Sequence, residues 1–279
     1  MKKFTVQKEG KIGELLIKYY EGGLSYGQLM KLFRKKDIKL NGKRVGADCT
    51  VKAGDLLEVY YDGSLLNNEN VIYLDENILI IDKPSGITSE SFFESVSRKY
   101  QNAIFTHRLD RNTSGLMIFA FNKTAYDCLF DALKNRTAEK YYYCAVYGVP
   151  TPACGIYNDY LLKDEKKSRV KIVSEKLHGA LNVKTGYEVV KAGNESSVLK
   201  IRLYTGRTHQ IRAHLAYHKH FILGDGKYGD DRINRTFGVK SQVLVSAEII
   251  FHFNKDSALY YLNGKSFCVN YDKVFDFVR

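Results

Sequence analysis

The sequence predicts an α+β protein, with a small α/β domain at the N-terminus and a larger domain built around a large sheet. Three observations predict it. Residues 1–62 read as helix, helix, hairpin, strand. A short polar stretch, GSLLNNE, then interrupts the pattern. Beyond residue 71, apolar runs of strand length alternate with amphipathic runs of helix length. The expected division is a first domain over 1–62, a linker over 63–70 and a second domain over 71–279.

In the first domain, GELLIKYY has the spacing of a short helix, and Ser25 can cap a second helix running through YGQLMKLFRKK. DIKLNGKRV then places Asn41-Gly42 between two extended runs, a strong hairpin signal, and AGDLLEVYY supplies a closing strand. In the second domain, VIYLD and ILIID read as strands joined at Glu76-Asn77, and Lys83-Pro84-Ser85-Gly86 ends the second of them. KYYYCAVYG, SSVLKIRLYTG and QVLVSAEIIFHF are strand-like, whereas ESVSRKY, AYDCLFDALKNR and HQIRAHLAYH are helix-like. No repeat of fixed period is visible.

Composition narrows the class. The 279 residues are 44% hydrophobic and 27% charged, with only three prolines, which is globular rather than disordered. The formal net charge of +12 favours a polyanionic partner, nucleic acid first. Five scattered cysteines without a CxxC pair point to reduced thiols, and MKKFTVQKEG lacks the apolar core of a signal peptide. The expectation is a cytoplasmic protein with no membrane association and no obligate protein partner.

The positive charge is concentrated. Lys31, Arg34, Lys35, Lys36, Lys39, Lys43 and Arg44 crowd the second helix and the hairpin, offset in that stretch by Asp37 alone. In its order of elements, its basic helix and its LNGKRV turn followed by AGD, this segment resembles an S4-type RNA-binding domain. The resemblance implies that Lys31, Arg34, Lys35, Lys36, Lys43 and Arg44 face RNA phosphates.

The chemistry-bearing stretch is His107-Arg108-Leu109-Asp110-Arg111-Asn112-Thr113-Ser114-Gly115-Leu116, followed by the apolar run MIFAF. A carboxylate between two arginines is favoured as the charged form. On spacing alone, such an aspartate is more often a structural ion-pair residue than a nucleophile. The longer pattern is more specific. HRLDRNTSGL, with DENILIIDKPSGI before it and EKYYYCAVYG and LYTGRTHQIRAHLAYHKHFILGDGKYG after it, resembles the RluA-type RNA pseudouridine synthases from about Val71 to Gly229.

That resemblance implies the pseudouridine synthase fold, with a large mixed, mainly antiparallel sheet, and it implies site residues. Asp110 becomes the catalytic carboxylate. Tyr142, third residue of the KxY motif anchored at Lys140, becomes the tyrosine that stacks on uracil and assists proton removal, with Tyr141 and Tyr143 as competing alignments. Arg207 of GRTHQIR is expected to pair with Asp110. Arg108 is expected to enter the RNA where the target base has left, with His107 and Arg111 as further RNA contacts. These residue types suit the reaction: converting uridine to pseudouridine breaks the bond from C1′ to N1, turns the uracil and rejoins it through C5. A nucleophile, a closed pocket and a base for the C5 proton suffice, with no cofactor or metal.

Other signals read more plainly. His209, His214, His218 and His220 lie close together, but no HExxH is present, so a metal site is not expected. No GxSxG, Walker A or GxGxxG motif occurs. The C-terminal stretch LVSAEIIFHFNKD departs from a Leu-His-Ala strand and later His-Pro found in many family members. The substrate expected first is large-subunit (23S) ribosomal RNA, as for the RluC and RluD branches, with transfer RNA as the alternative. Two other classes compete: an RNA-binding or ribosome-assembly protein that has lost the reaction, and a base-excising glycosidase.

Overall fold

The computed structural model describes residues 2–20, 24, 26–60, 70–164 and 169–279; for 27 and 28 it describes the backbone alone. Ser25 and all of the expected linker except Asn70 lie outside the described residues. The chain forms two compact units: Met1–Val71 with Gly86–Ala103, and Ile72–Ser85 with Ile104–Arg279.

The first unit begins with β1 (Lys2–Thr5), β2 (Gly10–Lys11), α1 (Ile12–Tyr19) and α2 (Tyr26–Lys35). It continues with β3 (Ile38–Leu40), β4 (Lys43–Val45), β5 (Thr50–Val51) and β6 (Leu56–Val59). Its main sheet has the order β1-β6-β3-β4. The hairpin sits where the sequence places it: Asn41 and Gly42 take φ of 49° and 80°, the pair of positive angles a tight two-residue turn demands. The helices close over the sheet through Ile12, Leu16, Leu29, Leu32 and Phe33, which pack with Ile38, Leu57 and Val59. Strand β1 is an element the sequence reading left out. MKKFTV carries no strong alternation, and its pairing with β6 is a long-range contact.

The second unit opens with β7 (Val71–Leu74), whose first residue groups with the first unit, and β8 (Ile78–Lys83). The next helix, α3 (Ser89–Lys99), also groups with the first unit, because the chain from Gly86 to Ala103 packs there. Then come β9 (Ile104–Phe105), β10 (Ser114–Ala120), α4 (Lys123–Asn135), β11 (Ala138–Tyr147), β12 (Cys154–Asp164), β13 (Arg169–Val173), β14 (Leu181–Ala192) and β15 (Ser196–Leu203). Helices α5 (Gln210–Tyr217) and α6 (Asp231–Thr236) precede β16 (Leu244–Phe251) and β17 (Ser266–Cys268). The sheet runs β13-β12-β14-β15-β11-β16-β10-β8-β7, with β9 on β10 and β17 on β16. Among its pairs only β10 with β16 is parallel. A mixed, mainly antiparallel sheet is therefore correct.

Strands β8 and β10 lie where both sheet faces are covered, which is why ILII and GLMIFA are unbroken apolar runs. One face packs on α4 and the C-terminal turns through Ile80, Ile118, Leu129, Tyr143, Ala145 and Ile249. Elsewhere Leu161, Val170, Ile172 and Val183 enclose Ala213 of α5. The long β12–β13–β14 region was not read as strands from sequence: burial alternates along β12, but Gly155 and Asp159 stand on its inward side and Ile156 on its outward side, so the residue types do not alternate with it.

Candidate active site

The HRLDRNTSGL stretch is a loop leading into β10, and it is tied down along its length. Thr106 donates its hydroxyl to Ile118 O at 2.5 Å. Lys83 Nζ donates to Pro84 O at 3.0 Å and Arg111 O at 3.3 Å, Ser85 to Asn112 O at 2.8 Å, and Gln242 to the Thr113 hydroxyl at 2.7 Å. The Thr113 amide closes a turn on Asp110 O at 3.1 Å. Gly115 has φ of 109°, and a Cβ there would stand 2.2 Å from Ser246 O. Only glycine lets β10 reach β16 at that point. The loop thereby presents Asp110 to a cavity of about 180 Å³ walled by Tyr142, Leu203 and Leu244. That volume lies below the roughly 300–1,000 Å³ usual for drug-sized ligands, and suits a single ring.

Asp110 is held by Arg212. The Arg212 Nη1 to Asp110 Oδ2 distance is 2.8 Å, while Nε and Nη2 grip Asp225 at 2.7 and 2.9 Å. Asp225 is further fixed by the amides of Lys227 and Tyr228 at 2.8 and 3.1 Å. Burial works against the Arg212 charge, but the bonds to Asp225 and Asp110 prevail and raise its pKa above the usual arginine value. Asp225 is held charged by Arg212 against its own burial. His209 stands beside this triad, Nε2 3.8 Å from Asp110 Oδ2 and Nδ1 3.0 Å from the Tyr228 hydroxyl.

The pairing of Asp110 with Arg207 is thus corrected: Arg212, the second arginine of GRTHQIR, takes that place. The physical reason is where each arginine sits. Arg212 is on α5, rigid and nearly buried, whereas Arg207 is exposed in the loop before it. Gln210 builds that loop by accepting from the Thr205 hydroxyl and the Arg207 amide and by donating to Lys184 O and the Thr185 hydroxyl.

The tyrosine ambiguity is settled by strand alternation. Tyr143 stacks on Tyr271 with ring centroids 4.0 Å apart, and Tyr141 donates to Glu139 at 2.6 Å, so neither lines the cavity. Tyr142 does. Burial, with the Asp110 charge adding and a bond to Ser246 opposing, pushes its phenol up to about 12 and keeps it protonated at neutral pH.

Of the expected RNA contacts, Arg108 lines the cavity and Arg111 is exposed outside its lining. His107 differs from expectation. Its Nε2 accepts the Ile118 amide at 3.1 Å, and burial, with the Lys140 charge adding, lowers its pKa to about 3. Held this way, the half-buried ring serves the fold as a neutral acceptor. In the first unit, Lys31, Arg34, Lys35, Lys36, Lys43 and Arg44 are all exposed, though Arg44 donates to Lys36 O at 2.7 Å.

His214 and His218 converge on Asp159 Oδ2 at 2.9 and 2.7 Å, and the other His214 nitrogen meets the Thr185 hydroxyl at 2.9 Å. The three ligand-type atoms lie within 4.8 Å of one another. Their bonds tie α5 to β12 and β14. Sequence reasoning missed Arg212, Asp225 and Lys83, although all three lie inside the quoted segments. The available signal was helical register: Arg212 and Gln210 fall on the first turn of HQIRAHLAYH.

The RNA pseudouridylate synthase family matches residues 77–217 of this chain. A Vibrio cholerae protein named ribosomal large subunit pseudouridine synthase C is 30% identical over 251 residues, 79% of this chain and 78% of that protein. An uncharacterized RNA pseudouridine synthase of Mycobacterium bovis is 28% identical over 256 residues, 82% of each chain. Among solved structures, human RNA pseudouridylate synthase domain containing 4 superposes with a TM-score of 0.62 at 19% identity, covering 76% of this chain and 94% of that one. That last likeness is one of fold.

Proposed function

This chain belongs to the RNA pseudouridine synthase family, and from that premise we propose that Asp110 is its nucleophile and large-subunit ribosomal RNA its substrate. The observation that carries the site is a carboxylate aimed into a ring-sized cavity and gripped by an arginine that is itself braced by a second, buried carboxylate. Such a brace aims Asp110 without leaving its position to solvent and side-chain motion. The substrate reading is supported by the ribosomal name carried by the Vibrio relative; transfer RNA is the alternative.

In the proposed reaction Asp110 attacks the flipped nucleotide and the bond between C1′ and N1 breaks. The uracil turns within the cavity, C1′ rejoins at C5, and the bond that Asp110 formed to the nucleotide breaks, which returns its carboxylate. The C5 proton leaves to a base and N1 gains one, so atoms balance and no redox partner is needed. Tyr142 supplies an aromatic wall for the ring. As a phenol held protonated, it serves the C5 proton by relay and not as a standing phenolate. Arg108 fills the space the base vacates, which offsets part of the few kcal/mol that unstacking costs. The first unit, read as an S4-like domain over about 1–62, adds phosphate contacts through its exposed lysines and arginines.

The test is pseudouridine mapping by carbodiimide chemistry and primer extension on total RNA from a deletion strain, complemented with wild type or Asp110→Asn. Sites that vanish on deletion and return only with wild type identify both substrate and nucleophile. If no site changes, RNA binding without catalysis replaces this reading.

A further inference from the structure

The cations around the cavity divide by what they hold. Arg212 is committed to Asp110 and Asp225. Lys140, Arg207 and Arg136 are not committed: among the described residues, no carboxylate and no hydrogen-bond acceptor meets the Lys140 ammonium or either guanidinium. Asp110 is the sole carboxylate in the cavity lining, and Arg212 has taken it.

Lys140 and Arg207 both line the cavity. A Cβ on Gly206 would lie 3.9 Å from Lys140 Nζ, so the ammonium stands against the loop that carries Arg207. Arg136 repels Lys140, and Arg207 repels Arg136. Lys140 is mostly withdrawn from water, and burial together with the Arg136 charge brings its pKa down to about 8. Arg207 and Arg136 are exposed, so it is the half-buried Lys140 ammonium, with like charge beside it and no acid among the described residues, that an arriving anion relieves most. The backbone also contributes to the arrangement. Arg136 ends α4 with φ of 65°, a left-handed conformation usually given to glycine or asparagine, two residues before β11 begins.

We propose that Lys140 and Arg207, which share the cavity wall, form a phosphate subsite that takes the backbone phosphodiester adjoining the uridine to be isomerised. The proposal rests on the uridine reading of the Asp110 cavity. Every nucleotide of an RNA brings such an anion, and charge-assisted bonds from an ammonium and a planar guanidinium suit its oxygens. Anchoring the phosphate beside the cavity turns binding energy remote from the reacting bond into orientation of C1′ before Asp110. It also gives Arg207 a role that the pairing of Asp110 with Arg212 leaves open.

The experiment is titration of the isotope-labelled full-length protein, followed through cavity amide shifts, with inorganic phosphate, uridine, uridine 5′-monophosphate and uridine 3′-monophosphate. At least one monophosphate is expected to bind about tenfold or more tightly than uridine, equivalent to about 1.4 kcal/mol. In Lys140→Gln with Arg207→Gln that ratio should shrink to about twofold or less, with uridine affinity kept. Arg207→Gln alone, in an exposed loop, reads the same trend should the double variant fold poorly. Equal binding of uridine and both monophosphates by wild type overturns the subsite, as does a ratio that survives the substitutions. If inorganic phosphate shifts the Lys140 region while uridine shifts nothing, the phosphate subsite stands and the uridine reading of the cavity falls.

Discussion

The two sides of the cavity are built on opposite terms. On the Asp110 side each charged group has an answer: Asp110 with Arg212, Arg212 with Asp225, Asp225 with two backbone amides. On the Lys140 side, Lys140 and Arg207 share the cavity wall and meet no acid among the described residues. The contrast teaches that the first side is complete in the free protein and preorganised for bond-making, whereas the second is completed by what binds. Loss of a partner should therefore hurt folding on the first side and recognition on the second.

The largest expected effect is chemical. Asp110→Asn removes the proposed nucleophile but keeps the shape, so the reaction should slow by on the order of 10⁴-fold, about 5.5 kcal/mol of barrier. Asparagine keeps an acceptor for Arg212, whose bonds to Asp225 are untouched, so the thermal midpoint should move little. Pseudouridine formation on the mapped RNA, measured beside a melting curve, checks both halves.

Next in size is stability. Arg212→Met strands Asp225, which is buried, and should cost about 3–5 kcal/mol, whereas Arg207→Gln should stay within about 0.5 kcal/mol. Urea unfolding of the two variants sets the sides directly against each other, and equal losses would erase the distinction between them.

A pH prediction sharpens the same line. His107 is neutral in the fold with its pKa lowered from 6.5 to about 3, so between these values the unfolded chain binds the extra proton. Its contribution is therefore complete above about pH 6.5 and is lost progressively as pH falls toward about 3. Urea midpoints measured down that range should fall less steeply in His107→Gln, which keeps an acceptor for the Ile118 amide. An unchanged slope would mean the ring is charged and turned outward.

The smallest effect on chemistry is expected in the first unit. Replacing Lys31, Arg34, Lys35, Lys36, Lys43 and Arg44 with glutamine should weaken RNA binding and leave the turnover of bound RNA unchanged. At about 0.7–0.9 per neutralised phosphate, the slope of log affinity against log salt should fall by about 4–5 if all six make contact. A slope that does not move makes this basic face merely solvated.

Much of the fold was legible because local chemistry dictated it. Asn41-Gly42 specifies a turn with two positive φ angles, and the unbroken ILII and GLMIFA runs mark strands covered on both faces. Strand β1 was not legible because its partner β6 lies far along the chain; β12 to β14 pair with near neighbours, but their inward positions include Gly155, Asp159 and Thr185 in place of an apolar alternation. The site divided in the same way. Asp110 and Tyr142 stand in dense motifs, whereas the choice between Arg207 and Arg212 turned on three residues of helix.

By itself the sequence determined the family, the α+β class, the cavity's carboxylate and its tyrosine, because each is written in contiguous residues whose local geometry is strongly constrained. Tertiary structure alone decided which arginine braces Asp110, that Asp225 braces the arginine, that His107 accepts the Ile118 amide, and that Lys140 meets no acid among the described residues. Those are matters of which groups meet across a sheet and how much water remains between them. A charge's worth depends on its partners and its solvation, and neither is a property of neighbours in sequence.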